Sequence, residues 1–174
     1  MRQPLLQNGN VLSWGEAGTP YVWNPSTSFN NPDFGVLPAE LWNPATGTWT
    51  TLASSAIKRA YHATAILLRD GRVLLAGSGD ATLANGTEAP AQRNAEIFSP
   101  PYLFKGTRPW IIRGPGTLSY SEKFFVKTTV PNTITQVTWL GLGSTTHAFD
   151  MGQRFMRLSF TVSVPSAAII IRLI

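Results

Sequence analysis

The segment running from Lys58 to Gly79, KRAYHATAILLRDGRVLLAGSG, constrains this chain most. An Asp70-Gly71 pair stands between two apolar runs, Ala63–Leu68 and Val73–Ala76. Gly tolerates the positive φ that a tight turn needs, so this pattern predicts an antiparallel hairpin. The hairpin is also echoed elsewhere. Asn8-Gly9-Asn10-Val11-Leu12 repeats Asp70-Gly71-Arg72-Val73-Leu74 as a turn followed by a strand that exits into Gly. A second element occurs three times, as Tyr21-Val22-Trp23-Asn24-Pro25, Glu40-Leu41-Trp42-Asn43-Pro44 and Glu96-Ile97-Phe98-Ser99-Pro100. After the middle copy, Ala45–Thr50 adds a turn and an outer strand carrying Trp49. The unit is a four-stranded antiparallel one, the pattern of a β-propeller blade. Residues 1–52 read as a blade lacking most of its first strand, and 57–102 as one lacking its fourth. The doubled Trp-Asn-Pro element suggests two blades joined across a deletion. Two blades cannot close a ring, so open edges invite self-association.

The texture changes near Lys105. Short β-rich runs at Trp110–Ile112, Phe124–Val130, Gln136–Leu140 and Phe155–Val164 alternate with Gly- and Pro-bearing turns. That spacing suits an immunoglobulin-like sandwich with fewer than the usual strands. The apolar C-terminal run SAAIIIRLI reads as a sheet edge liable to aggregate. The expected fold is therefore all-β: a partial kelch-type propeller over 1–104, then an incomplete immunoglobulin-like sandwich over 105–174. Composition agrees. Among 174 residues there are 15 Gly, 13 Pro and six Trp, and only 13% are charged, which disfavours helices and disorder. The regularly spaced Trp and Phe read as packing between blades.

Charge narrows the function. The net charge of +5 comes from basic residues scattered singly or in pairs, without the clustered patch that phosphate backbones require. No nucleic-acid partner is expected. No apolar run approaches the ~20 residues of a membrane helix, so no membrane partner is expected either. The start, MRQPLLQNG, lacks the build of a secretory signal; the chain is expected either not to be exported or not to be complete at its N-terminus. With no Cys, disulfides, thiolate metal sites and cysteine nucleophiles are all excluded.

Three side chains stand out as donors: Tyr61 and His62 before the first hairpin strand, and His147 in the polar stretch Gly143-Ser144-Thr145-Thr146-His147. Imidazole suits copper, zinc, iron and nickel. Neighbouring strand residues point to opposite faces, so Tyr61 and His62 can share an ion only at a strand end or a bulge. Each residue also has a plain structural reading, as a hydrogen-bonded corner or an exposed loop. Asp150 stands without a carboxylate partner for acid–base work, and Glu40 and Glu96 occupy equivalent repeat positions, a structural role. Asn85-Gly86-Thr87 fits the N-glycosylation pattern.

Three stretches in order, RAYHATAILLRDGRVLLAGSG, NAEIFSPPYLFKGTRPWI and THAFDMGQRFMRLSF, resemble the C-terminal half of the galactose oxidase and glyoxal oxidase family of copper radical oxidases. They include His147 followed by Gln153-Arg154. The resemblance covers Lys58–Leu158, and residues 5–52 resemble a kelch blade. It implies a kelch propeller followed by an immunoglobulin-like domain, one loop of which reaches into the propeller to deliver a histidine. It also implies a copper cofactor held by Tyr61, as the axial and catalytic tyrosine, and by the imidazoles of His62 and His147. The implied reaction oxidises a primary alcohol or aldehyde, including a carbohydrate alcohol, with O2 to hydrogen peroxide. The implied location is extracellular or cell-wall. The family's second, Cys-linked tyrosine has no counterpart here, and the last strands of the family's terminal domain are not recognisable after Val164, so the chain as written is expected to lack oxidase competence. A non-catalytic kelch-plus-sandwich module binding carbohydrate or protein is the alternative. The two histidines discriminate, because a binding module has no need of them.

Overall fold

The structure is a computed structural model that describes residues 4–14, 31–60, 62–79, 82–83, 85–141, 143–146, 149–150, 152–163 and 168–172. It is all-β: among these residues there is no α-helix, only three short 3-10 turns. Two compact units emerge, Met1–Tyr102 with Gly141–Arg154, and Leu103–Leu140 with Phe155–Ile174.

The first unit holds two three-stranded antiparallel sheets. One consists of β1 (Val11–Trp14), β2 (Pro38–Asn43) and β3 (Thr48–Ser54), and the other of β4 (Ala63–Leu67), β5 (Val73–Gly77) and β6 (Ala95–Phe98), each in that order. The second is the expected hairpin plus its Phe-Ser-Pro strand. Alternation decides which faces meet: Ala63 and Ala65 on β4, and Val73 and Leu75 on β5, are buried while their neighbours are not. Of these, Ala65, Val73 and Leu75 pack with Leu6, Leu12, Trp14 and Ala39 in one core shared by both sheets. Trp14 meets Phe98 edge to face at 5.2 Å between ring centroids, the geometry the ring quadrupoles favour. Not every aromatic serves this core. Trp49, on β3, lies against Trp42 yet is exposed, and Trp110, outside any strand, is exposed as well. The Tyr21–Pro25 copy of the repeat lies outside the described residues.

The turn repeat has a shared physical form. In each of Leu6–Asn10, Leu68–Arg72 and Leu83–Thr87, the Gly N–H donates to the first Leu carbonyl and the Leu N–H to the last residue's carbonyl. The side-chain oxygen of Asn8, Asp70 or Asn85 accepts the N–H two residues on, at 3.0–3.1 Å. Gly9, Gly71 and Gly86 all have φ between 83° and 88°. Leu-x-(Asn/Asp)-Gly-x thus specifies the turn locally.

The second unit is built on a sheet in the order β7 (Ile111–Arg113), β8 (Lys123–Thr128), β13 (Ala168–Arg172), β12 (Phe155–Ser163), β9 (Val137–Leu140). β12 changes partner midway. Phe155–Leu158 pair with β9, whereas Ser159–Ser163 pair with β13. The sheet therefore curls round a core of Phe124, Val126, Ile169 and Ile171. One expectation is corrected here: the SAAIIIRLI segment is no edge, because its strand β13 is hydrogen-bonded to β8 on one side and to β12 on the other. Its uncharged, β-branched run reads as a strand buried between two neighbours. The edges are β7, exposed throughout, and β9.

The remaining hairpin, β10 (Thr145–Thr146) and β11 (Phe149–Asp150), comes from sequence between β9 and β12 but is part of the first unit.

Candidate metal centre

The corner that ends at β4 is assembled by Arg59, whose side chain is 3% exposed. Its Nη1 donates to the Gly77 carbonyl at 2.8 Å and its Nη2 to Asn94 Oδ1 at 2.6 Å. Nη2 also pairs with Glu96 Oε2 at 3.2 Å, and Glu96 Oε1 accepts the Ala56 N–H at 2.7 Å. Glu96 is thus structural. Next, Ala60 N–H donates to Ser78 Oγ at 2.9 Å. A guanidinium buried this deeply is tolerated because its two Nη groups meet a carboxylate, an amide oxygen and carbonyls, although Nε has no hydrogen-bond partner. The result ties the Lys58–Ala60 segment to the exit of β5.

His62 is exposed and occupies the left-handed region, φ 58°. Ala63 N–H reaches the Ala60 carbonyl at 3.4 Å, closing a turn in which His62 is the third residue. Positive φ there usually selects Gly or Asn, and a His held in it stores backbone strain. Across the ladder stands Gly77, paired with Ala63 and itself at φ 76°. A Cβ at Gly77 would lie 2.8 Å from the His62 carbonyl oxygen. Ser78 follows at φ 125°. Three unusual backbone positions therefore converge where His62 leaves the turn, and His62 precedes β4 instead of lying within it. That meets the condition under which residues 61 and 62 could share an ion. Tyr61 itself lies outside the described residues.

The second half of the candidate centre is the Gly141–Arg154 loop. Gly141 N–H donates to the Arg154 carbonyl at 2.9 Å and closes its neck. Asp150 organises the interior: its Oδ1 accepts Ser144 N–H at 2.8 Å and Gly152 N–H at 3.3 Å. Gln153 Oε1 accepts the Leu5 N–H, tying the loop to the start of the first sheet. Gly143 lies against β4, where an added Cβ would be 3.0 Å from Ile66 Cγ1 and 2.6 Å from Asp150 Oδ2. The loop's approach to β4 thus requires Gly at this position. His147, which joins β10 to β11 in sequence, lies outside the described residues. Of the three expected donors only His62 is described. Among the described residues, which do not include Tyr61 or His147, no three His, Asp or Glu side chains cluster as a metal site.

Sequence reading missed Arg59, Gly77, Asp150 and Gly143 as the frame of this corner. Only the glycines left a signal, as unexplained Gly at the exit of a strand and within a polar loop.

Residues 108–173 match the family model "Galactose oxidase-like, Early set domain". The chain resembles the galactose oxidase and glyoxal oxidase group of copper radical oxidases. It is 37% identical over 124 residues to the aldehyde oxidase GLOX of Vitis pseudoreticulata, covering 67% of this chain and 24% of that protein. It is 35% identical over 173 residues to the aldehyde oxidase GLOX1 of Arabidopsis thaliana, covering 88% of this chain and 26% of that one. A galactose oxidase of Gibberella zeae is 31% identical over 133 residues, covering 72% of this chain and 18% of its own length. The chain thus spans about a quarter or less of the curated relatives it matches. In fold it superposes with a TM-score of 0.80 on a fungal alcohol oxidase solved in complex with copper, at 21% identity, over 99% of this chain and 35% of that one.

Proposed function

We propose that this chain supplies Tyr61, His62 and His147 to a copper centre of the galactose oxidase and glyoxal oxidase type. One observation carries the reading: the Gly141–Arg154 loop belongs to the first unit, with Gly143 against the strand that begins one residue after His62. A loop taken from the neighbouring unit's sequence and fitted beside the strained His62 corner is what a shared metal would need. The donor set fits copper, since two imidazoles and a phenol suit a tetragonal Cu(II) ion. Copper, when bound, would supply the oxidation of a primary alcohol or aldehyde by O2, with hydrogen peroxide as co-product. The protein's part is to hold the geometry. In this reading the Arg59-braced corner presents His62, and the Asp150-pinned loop would carry His147. Tyr61, when ionised, would take the proton of a substrate hydroxyl on its phenolate oxygen and become a neutral phenol.

The substrate class proposed is a small primary alcohol, an aldehyde or a carbohydrate alcohol, and the location extracellular. The domain assignment proposed is kelch-type blades over 1–104 and an early-set, immunoglobulin-like domain over 105–174, with self-association through the open edges of the blade sheets. This chain contains no Cys and so cannot by itself provide a Cys-linked tyrosine. Taken alone, it binds copper without sustained turnover.

Cu(II) titration followed by EPR tests this on the wild type, His62→Ala and His147→Ala. A tetragonal signal with nitrogen hyperfine structure in the wild type, lost in both variants, is the expected result. Identical adventitious spectra in all three would refute the metal reading and favour the carbohydrate- or protein-binding module. Sustained peroxide production from an alcohol by the copper-loaded chain would overturn the assignment of binding without turnover.

A further inference from the structure

We propose that Asn85 is an acceptor site for an N-linked glycan. Asn85-Gly86-Thr87 has the required pattern, and the turn puts the pattern into reactive form. Asn85 Oδ1 accepts both the Thr87 N–H at 3.0 Å and the Thr87 hydroxyl at 2.7 Å. Both bonds polarise the side-chain amide through its oxygen, drawing electron density from Nδ2 and making its proton easier to remove. No hydrogen bond among the described residues engages Nδ2 itself. Asn85, Gly86, Thr87 and Glu88 are all exposed, so a bulky, solvated substituent displaces no packed side chain.

The three copies of this turn provide an internal comparison. Each places an Asn or Asp before a positive-φ Gly, and each side chain accepts the N–H two residues on. Only the third copy carries a hydroxyl at that second position. The first has Asn10 and the second Arg72. Backbone geometry alone therefore accounts for the Asx contact in all three, while the hydroxyl bond that completes an acceptor exists at Asn85 alone. Thr82 and Glu88 form a β-bridge below the turn.

In the transfer, Asn85 Nδ2 attacks C1 of a sugar carried on a lipid-linked oligosaccharyl diphosphate. The C1–O bond to phosphate breaks as the C1–N bond forms. The lipid diphosphate leaves with the bonding electron pair, and the Nδ2 proton passes to a base of the transferase. No oxidant or reductant is needed. Physiological use of the site rests on the extracellular location proposed above; acceptor competence does not.

The test translates the full chain, behind a cleavable leader, in the presence of microsomes, and scores only the protease-protected fraction. One glycan on the wild type and on Thr87→Ser is expected, removed by peptide N-glycosidase with residue 85 converted to Asp. Releasing it in 18O-labelled water separates this conversion from spontaneous deamidation of Asn-Gly. Asn85→Gln and Thr87→Ala should carry none. A protected wild-type chain without a glycan, or one still modified in Thr87→Ala, would overturn the proposal. Because this reads mass in translocated chains and the copper titration reads metal in purified protein, failure of one leaves the other standing.

Discussion

Replacing Gly77 by Ala separates backbone strain from steric fit at the His62 corner, and Gly47→Ala is its control. Both glycines have positive φ, 76° and 67°, and both lie in the first unit. A left-handed backbone costs an Ala about 1–2 kcal/mol. Restricting the unfolded chain returns about 0.4–1 kcal/mol. At Gly47 an added Cβ meets nothing within 4 Å, so the net loss there should be about 1 kcal/mol. At Gly77 the Cβ meets the His62 carbonyl oxygen at 2.8 Å, a backbone atom that cannot swing away. Overpacking of this kind adds about 1–3 kcal/mol, for a total near 2–4 kcal/mol. Urea denaturation should therefore show the midpoint falling markedly further for Gly77→Ala than for Gly47→Ala, with unchanged m-values. Equal losses in the two variants would refute the argument that the His62 turn presses against β5. If Gly77→Ala is folded but has its His62 turn displaced, its copper affinity should fall while that of Gly47→Ala should not.

Three other outcomes are expected. Gly143→Ala should force the loop away from Ile66 or from Asp150, costing about 1–3 kcal/mol and speeding hydrogen exchange at the Ser144 N–H; unchanged exchange there would count against the docked loop. Arg59→Met should cost about 2–3 kcal/mol in thermal or urea unfolding, below the about 3–5 of a fully buried pair, since the Glu96 side chain is 24% exposed. Ile171→Ala, on the central strand, should cost about 2–5 kcal/mol, whereas Ile111→Ala, 73% exposed on β7, should stay within about 0.5 kcal/mol; a reversed order would contradict the sheet order.

The sequence alone determined what depends on neighbours a few residues apart. Asp70-Gly71 and its echo at Asn8-Gly9 determine the turns, because Asx oxygen and Gly φ act within five residues. The apolar runs either side of Asp70-Gly71 determine a hairpin, because a tight turn returns the chain antiparallel beside itself; which face is buried is seen only in the structure. Tertiary structure alone decided three things. It placed Ile169–Ile171 in the middle of a sheet, because an uncharged β-branched run is compatible with an edge or a centre until its neighbours are known. It made Arg59 a buried brace, since Gly77, Asn94 and Glu96 become its partners only when the sheet forms. It assigned the Gly141–Arg154 loop to the first unit, because docking depends on a missing Cβ facing Ile66, and proximity between residues so far apart in sequence has no local signature.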